Sequence, residues 1–282
     1  MYADISQSDP PTPLQRLNGA ARVSFQGAEN RLIELYQANP CRVLLPRRHQ
    51  GAVEAVLLNT AGGITDGDHL RYSLTATDGA HITATTQAAE KVYRSRGGDS
   101  HVHSQLTVTE GAFLEWLPQE TILFNGAALA RKTDMDVDGV SKLIALDWLV
   151  LGRRASGELL TDAAMHDRWR LRRDGKLIWA DDFRLRGNIE ELAQRKSLLD
   201  GACAVATMIY VAANAGEYLE PVRGLLKRAG CRAGVSARPG LLICRFLSPD
   251  AMALRRGVEN FLLAFRSALH ERHCPLPRVW AC

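Results

Sequence analysis

Apolar and polar residues alternate with a period of two from residue 17 to about residue 186. This period indicates β-strands with one buried face. In residues 70–77, which read LRYSLTAT, every second side chain is apolar, and the alternation resumes at residues 80–84 after Asp78-Gly79. Such a pair between two alternating runs predicts a β-hairpin. The pair Asp174-Gly175 predicts a second hairpin, inside WRLRRDGKLIW.

The segment HVHSQLTVT, residues 101–109, predicts a further strand whose apolar face carries Val102, Leu106 and Val108. Turn pairs at 110–111 and 138–139 continue the series. Many antiparallel strands at short spacing predict a large sheet sandwich, a barrel or a β-solenoid rather than a βαβ fold. No fixed-period repeat is visible in the sequence.

The last third of the chain also contains helical patterns. A stripe at residues 222, 225, 226 and 229 ends at Gly230 and predicts one helix. After the buried strand predicted by GLLICRFL, Ser248-Pro249 predicts an N-cap and first-turn proline for a second helix, with a core-facing stripe at residues 258, 261, 262, 265 and 269.

The predicted fold class is mainly β, multi-stranded and antiparallel or solenoid-like, with about two C-terminal helices. We expect a flexible tail over residues 1–16 and a single domain over 17–282, β-rich over 17–200 and mixed over 201–282.

Composition and charge narrow the functional classes. Of 282 residues, 46% are hydrophobic and the net charge is only +4, with no dense Lys/Arg tract. We therefore expect neither a nucleic-acid nor a membrane partner. The N-terminus lacks the pattern of a secretory signal. The six cysteines are far apart and form no CxxC pair, which favours free thiols in the cytoplasm.

The segment LLNTAGGITDGDHL, residues 57–70, has the glycine spacing of a phosphate-binding P-loop but not its lysine and hydroxyl residue. Asp68 follows Gly67 instead, and its charge would repel a phosphate. A calcium loop also does not fit, because the later acids of that pattern are missing. The glycines favour a reversal between two strands.

Two other features could carry chemistry. His101 and His103 share one face of a strand, so a metal site or a metallohydrolase that uses both is one hypothesis, although no third ligand is evident. Three acids, Glu115, Glu120 and Asp147, interrupt apolar runs, and an acid in such a run requires a partner or water. Asp147 could pair with Arg153 or Arg154 as a salt bridge in the core, or it could line a hydrated polar channel.

Several stretches together resemble the UreD family of urease accessory proteins, also named UreH. They are AGGITDGDHL, TATTQAAEKVYRS, LEWLPQETILFNGA, LGRRASGE and the terminal PRVW, and they occur in family order from about residue 17 to the C-terminus. Two positions depart from the commoner family form: Asp66 replaces a glycine, and Asn125 stands where aspartate is frequent.

The resemblance implies a mostly β urease maturation factor that is not an enzyme. Such a protein acts with UreF and, through UreF, with the GTPase UreG, and it docks on apo-urease to deliver Ni²⁺ through an internal tunnel. The nucleotide chemistry then belongs to the GTPase. We expect no firmly bound cofactor, only Ni²⁺ in transit, and a cytoplasmic location. A β-rich adaptor without metal passage is the alternative within the same family.

A conduit requires ligands weak enough to release the ion, which favours carboxylates, hydroxyls and water over several histidines. Motif matches nominate Thr85, Thr86, Arg153 and Glu158, and the position before the G-R segment nominates Asp147. Asp181, chosen from composition, and the two acids in the LEWLPQETILFNGA block complete the tunnel-lining candidates, which are Thr85, Thr86, Glu115, Glu120, Asp147, Arg153, Glu158 and Asp181. For the two acids Asp66 and Asp68 we expect contact with water, a partner or the path of the cation.

Overall fold

The computed structural model describes residues 15–46 and 53–281. Residues 1–14 of the predicted tail lie outside this part of the chain. Two large sheets face each other. Sheet I has the spatial order β14-β13-β11-β8-β5-β1-β2, and its strands are β1 (Asn18–Gln26), β2 (Arg31–Ala38), β5 (His69–Thr77), β8 (Ser100–Val108), β11 (Ala128–Val137), β13 (Ala163–Arg173) and β14 (Lys176–Gly187).

Sheet II has the order β16-β17-β15-β12-β9-β6-β4-β3, with β10 beside β12 and β7 beside β10. Its strands are β3 (Cys41–Leu44), β4 (Val53–Asn59), β6 (His81–Thr86), β7 (Glu90–Val92), β9 (Phe113–Leu117), β10 (Thr121–Leu123), β12 (Lys142–Leu151), β15 (Ala204–Val211), β16 (Arg232–Arg238) and β17 (Leu241–Ser248). The helices are α1 (Ile189–Gln194), α2 (Leu219–Leu226) and α3 (Ala251–His270).

The mainly β, solenoid-like class is confirmed. In the middle of both sheets the strands pair in parallel, as β5 with β8 and β6 with β9. Antiparallel pairs lie toward the ends, as β1 with β2 and β15 with β17. The chain alternates between the sheets in this region, so that each coil adds one strand to each sheet.

The predicted hairpin at Asp78-Gly79 is wrong, because β5 belongs to sheet I and β6 to sheet II. Both turn residues have positive φ, at 53° and 74°, yet the turn carries the chain across the core. The turn at 110–111 stacks on it, and Gly79 N donates to Glu110 O at 2.9 Å. The hairpin at Asp174-Gly175 is confirmed, since β13 and β14 pair antiparallel. Alternation defines the buried face of a strand but not the strand that lies beside it.

The period-two pattern produces two cores. Inward side chains of both sheets form the first, including Leu74, Leu106, Ile82 and Leu114. The outer face of sheet II and the helices form the second, including Tyr210 of β15 and Phe265 of α3. Sheet II is therefore buried on both faces, and the expectation that the last helix packs on the core is confirmed.

The two main C-terminal helices form as the apolar stripes predict, but the N-cap of α3 is Asp250 rather than Ser248. The Asp250 carboxylate accepts from the backbone N–H groups of Met252 and Ala253, which otherwise have no partner within the helix. No helix in the described ranges combines the length and the apolar character that a membrane crossing requires. The five described cysteines form no disulfide.

Candidate metal path through the interior

Two cavities lie inside the protein between the sheets, and they meet at one ion pair. The first has a volume of about 250 Å³ and the second of about 420 Å³. Arg131 and Asp147 line both cavities. Each cavity also has exposed lining residues away from this pair, Lys91 in the first and Leu198 in the second. The arrangement is that of two chambers with the Arg131–Asp147 pair between them.

The strand pattern explains why these charged groups point inward. Arg131 lies on β11 between the inward residues Leu129 and Thr133, and Asp147 lies on β12 between the inward residues Ala145 and Leu149. Alternate residues of a strand share one face. Both side chains therefore project into the space that the core of sheets I and II encloses.

Arg131 is held by two carboxylates. Its Nη1 lies 2.7 Å from Asp147 Oδ1, and its Nε and Nη2 donate to Asp167 at 3.1 and 3.0 Å. Nη1 also donates to Thr121 Oγ1 at 2.9 Å, and Trp169 Nε1 donates to Asp167 at 3.2 Å. A buried charge is tolerated when it is paired and hydrogen-bonded. One guanidinium shared by two carboxylates makes this junction neutral when Asp147 is protonated, and gives it a net charge of about −1 when Asp147 is ionised.

Burial shifts the protonation of the acids in these cavities. It raises the pKa of Asp147 to about 7, with Asp167 acting in the same direction and Arg131 opposing it. Burial also raises the pKa of Glu90, which lines the first cavity, to about 7, although a 3.0 Å hydrogen bond from Asn59 opposes this shift. Burial disfavours the charged form of an acid. Both groups therefore exchange protons near neutral pH.

Three predicted residues line the cavities: Thr86 the first, Asp147 both and Asp181 the second. The Thr86 hydroxyl accepts from Gln119 N at 2.8 Å, and Asp181 pairs with Arg245 at 2.8 Å. As members of a metal path they stay predictions, but the fold places all three on the linings of two cavities that share Arg131 and Asp147.

Three other candidates point away from the cavities, from the outer face of sheet II or just beyond β9. Thr85 donates to Leu117 O at 2.6 Å and accepts from Trp280 Nε1 at 2.9 Å. Glu115 pairs with Arg266 of α3, and Glu120 pairs with Arg255 of the same helix. Their neighbours Thr86 and Trp116 line the first cavity instead. Successive side chains of a strand point to opposite faces, so each motif supplies only part of its residues to the interior.

Arg153 and Glu158 form an ion pair with each other beyond the end of β12, with contacts of 3.1 Å. The predicted pairing of Asp147 with Arg153 or Arg154 is wrong, because Arg154 pairs with Glu190 and Asp147 with Arg131. The arginine partner comes from a neighbouring layer of the fold and not from the nearest sequence positions.

The two acids of the glycine-rich loop hold the start of β1. Of the three expected contacts, water is wrong, because Asp66 is 8% exposed and Asp68 is 3% exposed. Contact with a partner or with the path of the cation stays a prediction. Asp66 accepts from Arg16 at 2.6 Å, and Asp68 accepts from the backbone N–H of Leu17 at 2.8 Å. The predicted reversal between strands is confirmed, since this loop joins β4 of sheet II to β5 of sheet I.

The predicted histidine pair lies on the outer face of sheet I. His101 stacks on His69 with ring centroids 4.5 Å apart, and His103 Nε2 lies 2.8 Å from Asp134. Among residues 15–46 and 53–281, the group of three metal-binding side chains that the structure brings together does not include this pair. It consists of His81, Glu115 and His270.

Sequence reasoning missed Arg131, Asp167 and Glu90. Asp167 lies on the apolar phase of β13, between Met165 and Trp169, so the sequence carried a signal for it. Glu90 lies in a short strand after a turn. For Arg131 a signal existed, because an arginine stood on the apolar phase of β11, between Leu129 and Met135.

Comparison with known proteins identifies the family of this chain. The family model described as UreD urease accessory protein matches residues 17–281. Proteins named urease accessory protein UreD are similar over most of their length: 45% identical in Xanthobacter autotrophicus, covering 95% of this chain and 91% of the relative, and 37% identical in Brucella suis, covering 98% of each. A third, from Azorhizobium caulinodans, is 40% identical over 95% of this chain and 97% of its own length. The chain therefore belongs to the UreD urease accessory protein family.

Proposed function

We propose that this chain conducts Ni²⁺ to apo-urease through the two interior cavities, acting with UreF and, through UreF, with UreG. Family membership gives a role in urease maturation; the passage of nickel is the further step. The observation that carries it is the meeting of the two cavities at Arg131 and Asp147. In this proposal the protein is not an enzyme, works in the cytoplasm and holds the ion only in transit.

The side chains that line the two cavities are suited both to binding Ni²⁺ and to releasing it. Ni²⁺ prefers imidazole over carboxylate, so a path lined by carboxylates and hydroxyls binds it weakly. The cavities carry Thr86, Glu90, Asp147 and Asp181 along their length. Because the pKa values of Glu90 and Asp147 are raised to about 7, a proton can replace a departing cation on either group. When Asp147 is ionised, the net negative charge of the group formed by Arg131, Asp147 and Asp167 attracts a divalent cation.

The experiment uses cells that express the urease subunits and all accessory proteins, with this chain wild type, absent or substituted. Nickel content and specific activity of the purified urease are measured, and co-purification reports whether the complex forms. We expect nickel content to collapse without the chain. We expect at least a fivefold lower content with Thr86→Trp, which fills the first cavity, or with Asp147→Asn.

Asp134→Asn is the matched control. Asp134 is 13% exposed and Asp147 11%, but Asp134 lines neither cavity. This variant should leave the nickel content of urease unchanged. If Thr86→Trp and Asp147→Asn form the complex and also leave nickel content unchanged, the chain is an adaptor without metal passage.

The metallohydrolase hypothesis makes a different prediction. It requires metal-dependent turnover by the isolated chain, which changing His101 and His103 together would abolish. Among the described residues, the three metal-binding side chains that come within ligand distance of one another are His81, Glu115 and His270, and neither His101 nor His103 belongs to this group. We therefore favour the conduit.

A further inference from the structure

His81, Glu115 and His270 form a cluster on the outer face of sheet II, which we call the outer cluster. His81 begins β6, Glu115 lies on β9 and His270 ends α3. Their ligand atoms all lie within 4.8 Å of one another. Glu115 Oε2 is 3.8 Å from His81 Nε2, and Glu115 Oε1 is 3.5 Å from His270 Nε2. Three separate elements thus present two imidazoles and one carboxylate to the same point.

One ring nitrogen of His81 lacks a hydrogen bond within the described part of the chain. Its Nε2 atom is buried and makes no hydrogen bond to the described residues. The His81 ring is held in place by stacking on Phe113 and on His270, each with centroids 4.8 Å apart. A buried polar atom without a hydrogen-bond partner destabilises the fold. A ligand that binds this nitrogen would remove that destabilisation, and the His81 side chain as a whole is 24% exposed.

The carboxylate is ionised and has one oxygen with spare capacity. The Arg266 guanidinium and the Thr83 hydroxyl donate to this buried carboxylate, and such donors favour its charged form. Oε2 accepts from Thr83 at 2.6 Å and from Arg266 Nη2 at 2.8 Å. Oε1 accepts only one short bond, from Arg266 Nε at 2.9 Å. A carboxylate oxygen has about two lone-pair positions, so Oε1 can also bind a cation.

Arg266 does not make the outer cluster positive. Arg266 pairs with Glu115, and Glu54 of β4, which is 2% exposed, belongs to the same row of sheet II. Its register partner Thr83 is in turn the register partner of Glu115. The positive charge of Arg266 is therefore balanced by Glu115, and a second buried acid lies in the same row. Such a balance is compatible with a divalent cation.

From this geometry we propose that the outer cluster binds one divalent transition-metal ion of the Zn²⁺ or Ni²⁺ type through His81 Nε2, His270 Nε2 and Glu115 Oε1. Two imidazoles and one carboxylate form a donor set that zinc and nickel accept, whereas Mg²⁺ prefers oxygen ligands alone. Metal–ligand bonds of about 2.1 Å place tetrahedral ligands about 3.4 Å apart, so the three side chains close on the ion by shifts of less than about 1 Å. The ion fastens the end of α3 to β6 and β9.

The outer cluster is separate from the interior path. Glu115 and Trp116 are neighbours on β9, but only Trp116 lines a cavity, so sheet II lies between the two sites. Binding at the outer cluster would persist if the interior carried no nickel. The ion would be a firmly held component of the protein, unlike the ion in transit.

The test is metal binding to the full chain after treatment with EDTA. Equilibrium dialysis against NiCl₂ and, separately, ZnCl₂ gives stoichiometry and affinity for the wild type, His81→Phe and His270→Gln. The phenyl ring of His81→Phe keeps the stacking on Phe113. We expect the wild type to bind one ion that both variants lose or bind at least tenfold more weakly. MgCl₂ should not compete.

His101→Phe is the control, since His101 also stacks on a histidine but lies outside the outer cluster; it should keep the ion. The visible absorption of bound Co²⁺ gives an independent reading of nitrogen ligation, and it should change in His270→Gln. If His81→Phe does not fold, as judged by circular dichroism, His270→Gln decides the question. Affinity within twofold of wild type in His270→Gln, or loss of the ion only in His101→Phe, would overturn the proposal.

Discussion

Arg266 of α3 donates two hydrogen bonds to Glu115 of β9, at 2.9 and 2.8 Å, and neither side chain is more than 1% exposed. This pair joins the C-terminal helix to the middle of sheet II across 151 positions of sequence. It explains why an acid can interrupt the apolar run FLEWL, because the partner of that acid arrives from the last helix.

Removing Arg266 alone should strongly destabilise the fold. Arg266→Met leaves Glu115 ionised and without its main partner, and breaking a buried pair costs about 3–5 kcal/mol. The free energy of unfolding, measured by urea titration in EDTA so that no bound metal contributes, should fall by this amount. The double variant Glu115→Leu/Arg266→Met should recover part of the loss.

The control for this pair is Arg232→Met. Arg232 pairs with Asp200 at the surface, where both side chains are about half exposed, and such pairs contribute about 1 kcal/mol or less. A loss in Arg266→Met no larger than that in Arg232→Met would contradict the importance of the buried pair.

The raised pKa of Asp147 predicts a pH dependence with a definite sign. The folded protein keeps a proton up to about pH 7 that the unfolded chain releases near its ordinary value of 3.8. Stability from this group is therefore present below that ordinary value and is lost as pH rises through about 7. Asp147→Asn carries no ionisable group, so its free energy of unfolding should rise relative to wild type between pH 5 and pH 8.

Asp138→Asn controls for this measurement. Burial acts to raise the pKa of Asp138, but hydrogen bonds from Ser141 and from the backbone of Glu110 outweigh it and lower the pKa. Its contribution is present above the ordinary pKa and does not change between pH 5 and pH 8. The difference in free energy of unfolding between Asp138→Asn and wild type should be constant from pH 5 to pH 8. If the difference between Asp147→Asn and wild type is also constant over this range, the pKa of Asp147 is not raised.

Trp280, in the terminal PRVW segment, should stabilise the second core, which lies between the outer face of sheet II and the helices. Its indole N–H donates to Thr85 Oγ1 at 2.9 Å, and its ring stacks on Trp148 with centroids 5.4 Å apart. Trp280→Ala should cost about 3–5 kcal/mol of stability through loss of buried contacts. Trp280→Phe keeps an aromatic ring but loses the hydrogen bond to Thr85. It should therefore lower the free energy of unfolding by about 1 kcal/mol. Thermal unfolding checks whether Trp280→Ala lowers stability more than Trp280→Phe does.

The two glycines of the 62–63 pair should differ in their tolerance of a methyl group. A Cβ on Gly63 would lie 2.4 Å from the Tyr93 ring and 2.7 Å from Lys91 O, whereas a Cβ on Gly62 meets no atom within 4 Å. Gly62→Ala should cost about 1 kcal/mol, through its φ of +77° alone. Gly63→Ala should cost several times more. Equal losses of denaturation midpoint in the two variants would contradict this close approach.

The residues that sequence reasoning placed correctly are those that local periodicity determines. The inward face of β5, the hairpin at Asp174-Gly175 and the stripe of α3 follow from periods of two and 3.6. The errors concern which element lies beside which: the turn at Asp78-Gly79 crosses between sheets, and Asp147 pairs with Arg131 rather than with the nearby Arg153. The N-cap at Asp250 was missed by two positions because a serine and an aspartate there are equally good caps.

The sequence by itself determined the strand-rich body, the buried faces of its strands, the helices of the last third and, through five ordered motifs, the family. These depend on side-chain period and on short contiguous segments. Tertiary structure alone decided that Thr86, Asp147 and Asp181 line interior cavities while Glu115 and Thr85 face the helices. It also decided that His81 and His270, far apart along the chain, meet at Glu115. The reason is physical: a strand fixes the face of each side chain locally, but the identity of the surface opposite that face depends on the packing of the whole chain.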